Sequence, residues 1–201
     1  MDYLAAVAKR RSVYSLKKES TLKDENLIEM IKQVTQDAPS SLNSQSQRVV
    51  IVLGEEHDYL WENIVMETLR KVVNDEERFK ETEKKIKGFA KAYGTVLFYQ
   101  DKNSLKIMEE KFPDYAHNFD RWASEGDGIL LYGIWTALAS CGLGASVQHY
   151  NPLIDEEVAQ RYDIPKEWML ISQMPFGVIE EYPEPKEKMA VEEKVKVFGE
   201  K

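Results

Sequence analysis

The segment from Arg121 to Cys141 constrains the fold of this chain most. It reads as one helix, strongly apolar in its second half, and it stops at Gly142, a residue type suited to the position just past a helix C-terminus. Its longest apolar stretch, Ile129 to Ala139, is interrupted by Gly133 and Thr136 and falls short of the roughly 20 residues a membrane helix needs. Such a helix has to pack inside a layered fold. Four apolar runs supply strands for it: Val49–Leu53, Thr95–Tyr99, Ala145–Tyr150 and Trp168–Met174. The first is β-branched, is stopped by Gly54, and reads as buried.

Further helices fill the gaps. Asp2 can cap a first helix with inner positions Leu4, Val7 and Ala8, ending near Arg10-Arg11-Ser12. A second starts after Thr21, with Asp24 three residues on in a near-capping-box arrangement, and repeats apolar residues at Leu27, Ile28, Ile31 and Val34. Pro39 ends it. Residues 57–73 place Leu60, Trp61, Ile64, Val65, Thr68, Val72 and Val73 on one stripe. Residues 75–91 read as a charged, solvated cover, and residues 103–111 and 155–162 as short helices. No repeat or low-complexity linker divides the chain. The expectation is one α+β domain with a sheet between helices.

The chain has 201 residues, enough to bury a substantial core, roughly 70% of the unfolded surface. Its formal net charge of −8 disfavours nucleic acid and anionic membrane surfaces, which need clustered cations. A single cysteine, Cys141, rules out an internal disulfide and fits a reducing cytoplasm; it reads as a small buried thiol. No basic segment leads into an apolar one at the N-terminus, so no signal peptide is expected. His57, His117 and His149 are scattered without metal-ligand spacing, so no metal site is expected. His57 is expected to cap a helix and His117 to sit on a loop. Trp61, Trp122, Trp135 and Trp168 read as core or interface residues.

Four segments carry more chemistry than their places require. Lys9-Arg10-Arg11-Ser12-Val13-Tyr14 sets two arginines and a hydroxyl after a helix; they can grip a phosphate or simply complement the helix dipole. Pro39-Ser40-Ser41-Leu42-Asn43-Ser44-Gln45 offers hydroxyls and carboxamides that match the edge of a planar heterocycle, or ordinary turn chemistry. Gly142-Leu143-Gly144 precedes Ala145-Ser146-Val147-Gln148-His149-Tyr150-Asn151-Pro152; its glycines allow close backbone approach to a ligand, or serve as cap and turn. The spacing is not that of a dinucleotide-binding glycine motif. In Pro185-Lys186-Glu187-Lys188 the two lysines of an extended segment point the same way, toward a phosphate or into solvent.

In their order and spacing, these segments resemble the nitroreductase family over almost the whole chain. The likeness is to the short branch named for fatty-acid repression, through Gly-Glu-Glu-His at 54–57, Gln-His-Tyr-Asn-Pro at 148–152 and Val-Lys-Val-Phe at 195–198. The resemblance implies a three-layer helix/sheet/helix fold with a mixed antiparallel sheet, forming an intertwined homodimer that binds FMN. Residues 1–201 would be one domain, with 183–201 as an extension embracing the partner. Arg10, Arg11 and Ser12, with Tyr14 beside them, would hold the FMN phosphate and ribityl chain. Pro39, Ser40, Ser41, Asn43 and Gln45 would line the isoalloxazine from the partner subunit. Backbone near Gln148, His149 and Tyr150 would approach the flavin N5, and Lys186 and Lys188 would return to the phosphate. Tyr14 stands where many members have a basic residue, and the Pro-Trp often seen after the glutamine is absent.

The implied reaction is a ping-pong cycle in which NADH or NADPH gives up a hydride and a nitroaromatic or quinone takes the electrons. The cofactor does that chemistry, so no catalytic side chain is expected. The competing reading is a flavin-binding redox sensor or regulator, of lipid metabolism or stress, with little turnover.

Overall fold

The computed structural model describes residues 2–199. Its strands are β1 (Ser15–Lys17), β2 (Gln47–Leu53), β3 (Gly94–Asp101), β4 (Leu143–Ala145) and β5 (Trp168–Glu181). The sheet runs β1-β5-β3-β2, and β4 also pairs with β5. The ladders between these strands are antiparallel. A parallel bridge joins Ser12 to Ala145.

β3 is buried along its whole length because both faces of the sheet are covered. Successive side chains point to opposite faces. Val96 and Phe98 meet Leu27 and Ile31 of α2 (Asp24–Asp37) and Leu130, Ile134 and Leu138 of α7 (Phe119–Ser140). Leu97 and Tyr99 face the other layer. There the chain runs through α3 (Gly54–Tyr59), a π-helical turn at Leu60–Val65 and α4 (Met66–Val72), then α5 (Glu76–Ala90). Its core holds Trp61, Val65, Phe79, Ile86 and Phe89. The remaining helices are α1 (Tyr3–Lys9), α6 (Lys102–Lys111) and α8 (Asp155–Tyr162). This is the expected three-layer arrangement. Among the described residues, no helix is long and apolar enough to cross a membrane.

Several local expectations are corrected. Thr21 does not cap α2: the helix starts at Asp24 behind Lys23, and the Thr21 hydroxyl donates to the Cys141 carbonyl at 2.7 Å. β2 is only partly buried, since it pairs with β3 alone. The stripe on 57–73 ends early, because Val72 is exposed. α5 is more than a cover and buries Phe79, Ile86, Phe89 and Ala90. The strand expected over 145–150 is shorter and earlier, Leu143–Ala145, followed by a bridge from Gln148 to Gln173. β5 instead continues through Pro175 and Gly177 to Glu181, where it pairs with β1. Cys141 is partly exposed, and His117 sits in a 3₁₀ turn, Pro113–Asn118.

His57 caps nothing. It is fully buried in α3, with Nδ1 3.0 Å from the Thr95 hydroxyl, which also accepts the Trp61 indole N–H at 2.8 Å. Burial pushes its pKa down from 6.5 to about 4. The fold therefore holds the neutral ring, and its contribution is fully present above pH 6.5. As pH falls toward 4, the unfolded chain takes up a proton that the fold refuses. Stability should drop by about 3 kcal/mol across that window. Urea unfolding from pH 7 to pH 4 tests this: His57→Gln should be less stable at neutral pH but show a flatter profile, and an unchanged slope would refute the assignment.

Candidate functional site

α1 is capped as expected, with Asp2 accepting from the Ala5 N–H at 3.1 Å. It ends at Arg10, after which the chain is extended, and the Val13 N–H donates to the Ala145 carbonyl at 2.9 Å. That bond and the Ser12 bridge bring the arginine segment against the glycine turn. The close approach depends on Gly144, whose Cβ would lie 2.8 Å from Ile179 Cγ1, and on its cross-strand partner Gly177, whose Cβ would lie 2.5 Å from the Lys17 carbonyl oxygen.

The Arg10 guanidinium lies 4.4 Å from the Trp135 ring centroid and 5.7 Å from that of Tyr132, both on α7. Its Nε is buried without a hydrogen-bond partner. Arg11 donates to the carbonyls of Pro183 at 2.9 Å and Glu184 at 2.6 Å. Neither arginine has a carboxylate partner among the described residues. Two cations without an anion, one with an orphaned buried N–H, suit a phosphate. The Arg11 bonds also bring the tail back to this end, just before Lys186 and Lys188, which are both exposed. Tyr14 is exposed, its ring 6.5 Å from Phe89.

The 146–151 segment is held by Gln173. The Gln148 N–H donates to the Gln173 carbonyl at 2.7 Å, and the Tyr150 N–H to the Gln173 side-chain oxygen at 2.8 Å. Gln148 Nε2 donates to Ser146 Oγ at 3.1 Å. The His149 N–H, between two engaged neighbours, has no partner among the described residues. Tyr150 is half-buried against Trp61 and Phe89, and burial raises its pKa to about 12. Lys85 sits over that pair, its Nζ 5.9 Å from the Tyr150 centroid and 5.7 Å from that of Phe89. Sequence reading passed over Lys85 as one charge among many on α5, and nothing local marks it.

The 39–45 segment is strained. Leu42, Asn43 and Gln45 all have positive φ, at 50°, 56° and 47°. Such residues cost of order 1 kcal/mol or more each and cluster at functional sites. Ser40 fixes the turn: its hydroxyl accepts from the Gln45 N–H at 2.9 Å, and its carbonyl from the Asn43 N–H at 3.0 Å. Gln47 Nε2 ties the Pro39 carbonyl at 3.1 Å and packs against Gly126 of α7. Ser41 begins the short 3₁₀ turn, and Asn43 stays exposed. Gly126 and the Trp135 under Arg10 are nine residues apart on α7, roughly 13 Å along its axis. One chain thus joins residues 10–12 to the tail and, through Ala145, to the strand that leads into 148–150, while the 39–45 turn sits at the Gly126 end of α7.

These features define a class: a layered α+β protein whose N-terminal arginine segment is bridged to a close-packed glycine strand, with a strained polar turn elsewhere along the long helix α7. Residues 7–178 match the Nitroreductase family. The nitroreductase FRM2 of Saccharomyces cerevisiae is 31% identical over 189 residues, covering 92% of each chain. Nitroreductase CinD from Lactococcus lactis, solved in complex with nicotinic acid, superposes with TM-score 0.91 at 37% identity, over 98% of this chain and 100% of that one. A nitroreductase from Desulfitobacterium hafniense solved with bound FMN shares the fold, with TM-score 0.71 at 20% identity over 99% of this chain and 100% of that one. The chain belongs to the nitroreductase family, a family of oxidoreductases.

Arg11→Ala should release the tail. Losing its two bonds to the 183–184 carbonyls should speed tryptic cleavage at Lys186 and Lys188 by about tenfold, the equivalent of ~1.4 kcal/mol of local opening. Limited proteolysis followed by mass spectrometry reads this, and an unchanged cleavage rate would show that the tail is held by other contacts.

Proposed function

We propose that this chain is an FMN-dependent oxidoreductase that uses NADH or NADPH to reduce nitroaromatic or quinone acceptors, working in the cytoplasm as a homodimer. The observation that carries the reading is Arg10, with its buried Nε orphaned, and Arg11, without a carboxylate partner among the described residues, on a segment joined through the Ser12–Ala145 bridge to the strand that leads to the free His149 N–H. Bound FMN supplies the redox chemistry, accepting a hydride from the nicotinamide and passing electrons to the acceptor in alternate half-reactions.

The chain's own groups then have distinct tasks. Arg10, Arg11 and Ser12, with Lys186 and Lys188 from the tail, hold the phosphate. Arg10 suits this because Trp135 and Tyr132 take up its apolar face and leave the planar fork for an anion. The His149 N–H would be the donor offered to the flavin ring, and Gln148 and Tyr150, tied to Gln173, would fix its direction. Lys85 supplies positive charge where reduced flavin is anionic. Tyr14 borders the cofactor, and Pro39, Ser40, Ser41, Asn43 and Gln45 of the second subunit close over the ring.

The single domain, 1–201, would pair through its edges. β2 has an unpaired side, and a groove of about 780 Å³ runs between it and α2. Val195, Val197 and Phe198 are all exposed, with Phe198 at 89%. In the dimer this apolar end packs on the partner, and 183–199 embraces it.

Two experiments decide this. The purified protein should be yellow, or become so with added FMN, and NADH or NADPH should bleach it. A colourless protein that ignores FMN rejects the reading, and bound FMN that neither nicotinamide reduces favours a sensor. The double variant Arg10→Ala, Lys186→Ala should weaken FMN binding at least about 100-fold, by loss of two charge-assisted contacts, yet keep its far-ultraviolet circular dichroism. Separately, Phe198→Asp should shift dimer to monomer in sedimentation velocity at micromolar concentration; an unaltered dimer would place the tail elsewhere.

A further inference from the structure

A second cavity, of about 220 Å³, opens between the first half of α7 and the ends of β3 and β5. Its walls are apolar, from Phe98, Leu131, Met169 and Ile171. Its polar lining is Gln100, Ser124, Asp127, His149 and Ser172, of which the last three concern a ligand. Asp127 is buried on α7 and accepts from Gln100 Nε2 at 3.2 Å. Ser172 is fully buried, and its hydroxyl has no hydrogen-bond partner. His149, whose backbone N–H is free, lines the same space. Few convergent polar groups inside an apolar wall make the pattern of a small-molecule site. An apolar cavity of about 150 Å³ is enough for a benzene ring.

We propose that this cavity is an acceptor subsite for a single aromatic ring whose oxygen substituent takes a hydrogen bond from the Asp127 carboxyl. The proposal rests on the oxidoreductase reading above and deepens it, since His149 belongs to both places. The Asp127 oxygen not bonded to Gln100 can donate only when the carboxyl is protonated. The orphaned Ser172 hydroxyl gives the same substituent a second partner, which removes the penalty of leaving a buried polar group unpaired.

Burial pushes the Asp127 pKa up to about 7, against a lowering by Lys102. The charged and titratable groups facing it are Lys102 at the head of α6, itself paired with Asp120 at 3.2 Å, and His149. The facing residues of β3 and β5 carry no charge. The acid form is therefore abundant near neutral pH and scarce well above it. A ligand that needs the acid form loses affinity in proportion to that fraction.

The test is calorimetric titration of the purified protein with nitrobenzene, a neutral ring with nitro oxygens, at pH 6 and pH 8.5, without nicotinamide so that nothing turns over. The wild type should bind roughly thirtyfold more weakly at pH 8.5 than at pH 6, the ratio of the acid fractions at a pKa of about 7. Asp127→Asn presents an amide donor at both pH values and should bind equally at both. Gly128 lines the cavity, and a Cβ there meets nothing within 4 Å. Gly128→Met should therefore fill the space, keep the helix and abolish binding at both pH values. A pH profile in Asp127→Asn that matches the wild type, or a Gly128→Met that binds normally, overturns the proposal. Should Asp127→Asn fail to fold, Gly128→Met decides alone. Flavin absorbance of the same samples reports FMN separately: protein that cannot hold FMN defeats the function reading, whereas FMN-replete protein with an unaltered titration defeats only the subsite.

Discussion

β4 lies on β5 where Gly144 faces Gly177, and a side chain on either would run into Ile179 or into the Lys17 carbonyl. The rest of the site depends on that contact. It delivers Ala145 to the end of the α1 segment, where Ser12 bridges it and the Val13 N–H finds its acceptor. From there Arg10 reaches Trp135 and Arg11 reaches the tail. The backbone comes close, without metal or disulfide, because two residues have no Cβ.

The same strand sets the hydrogen-bond pattern beside the concavity. Gln173 exchanges backbone bonds with Gln148 and uses its side-chain oxygen on the Tyr150 N–H. Its amide nitrogen reaches Asn151 at 3.3 Å. One fully buried residue, by its carbonyl and its side chain, thus satisfies both neighbours of His149 and leaves the N–H between them unengaged. A backbone donor fixed on both sides needs no reorganisation when an acceptor arrives, which is what electrostatic preorganisation requires.

What could be read from sequence was what local pattern encodes. The helix over 155–162 falls where its apolar spacing and Asp155 put it, and Asp2 caps α1. The apolar helix ending at Gly142 is α7, and Thr95–Tyr99 lies within the central strand. Non-local facts were hidden. β1 is three residues long and exists only because Leu16 meets Ile179 in β5. β5 runs on through Pro175, which has no N–H to give to the ladder but whose carbonyl accepts from the Ser146 N–H at 3.2 Å, a placement that composition disfavours. His57, Asp127 and Gln100 look like surface residues in sequence, and only the packed layers bury them. The four chemistry-bearing segments were visible as motifs. Lys85 was not, because one of the two rings that set it, Tyr150, is distant in sequence, while Phe89, four residues on, gives no signal by itself.

The distance along α7 connects the two halves of the proposed site. Arg10 rests near its Trp135 end and the strained 39–45 turn near Gly126, roughly 13 Å apart along the axis. In the proposed dimer, a two-fold pairing of identical surfaces would bring the turn of one copy toward the arginines of the other, twice over. The exposed flank of α7, with Ile129 at 49% and Tyr132 at 37%, supplies apolar surface for such a pairing. On this view the three left-handed residues at 42, 43 and 45 are tolerated because Ser40 and Gln47 brace them from within their own chain. In the proposed dimer the turn would meet its partner already shaped, and little ordering entropy would be lost on pairing.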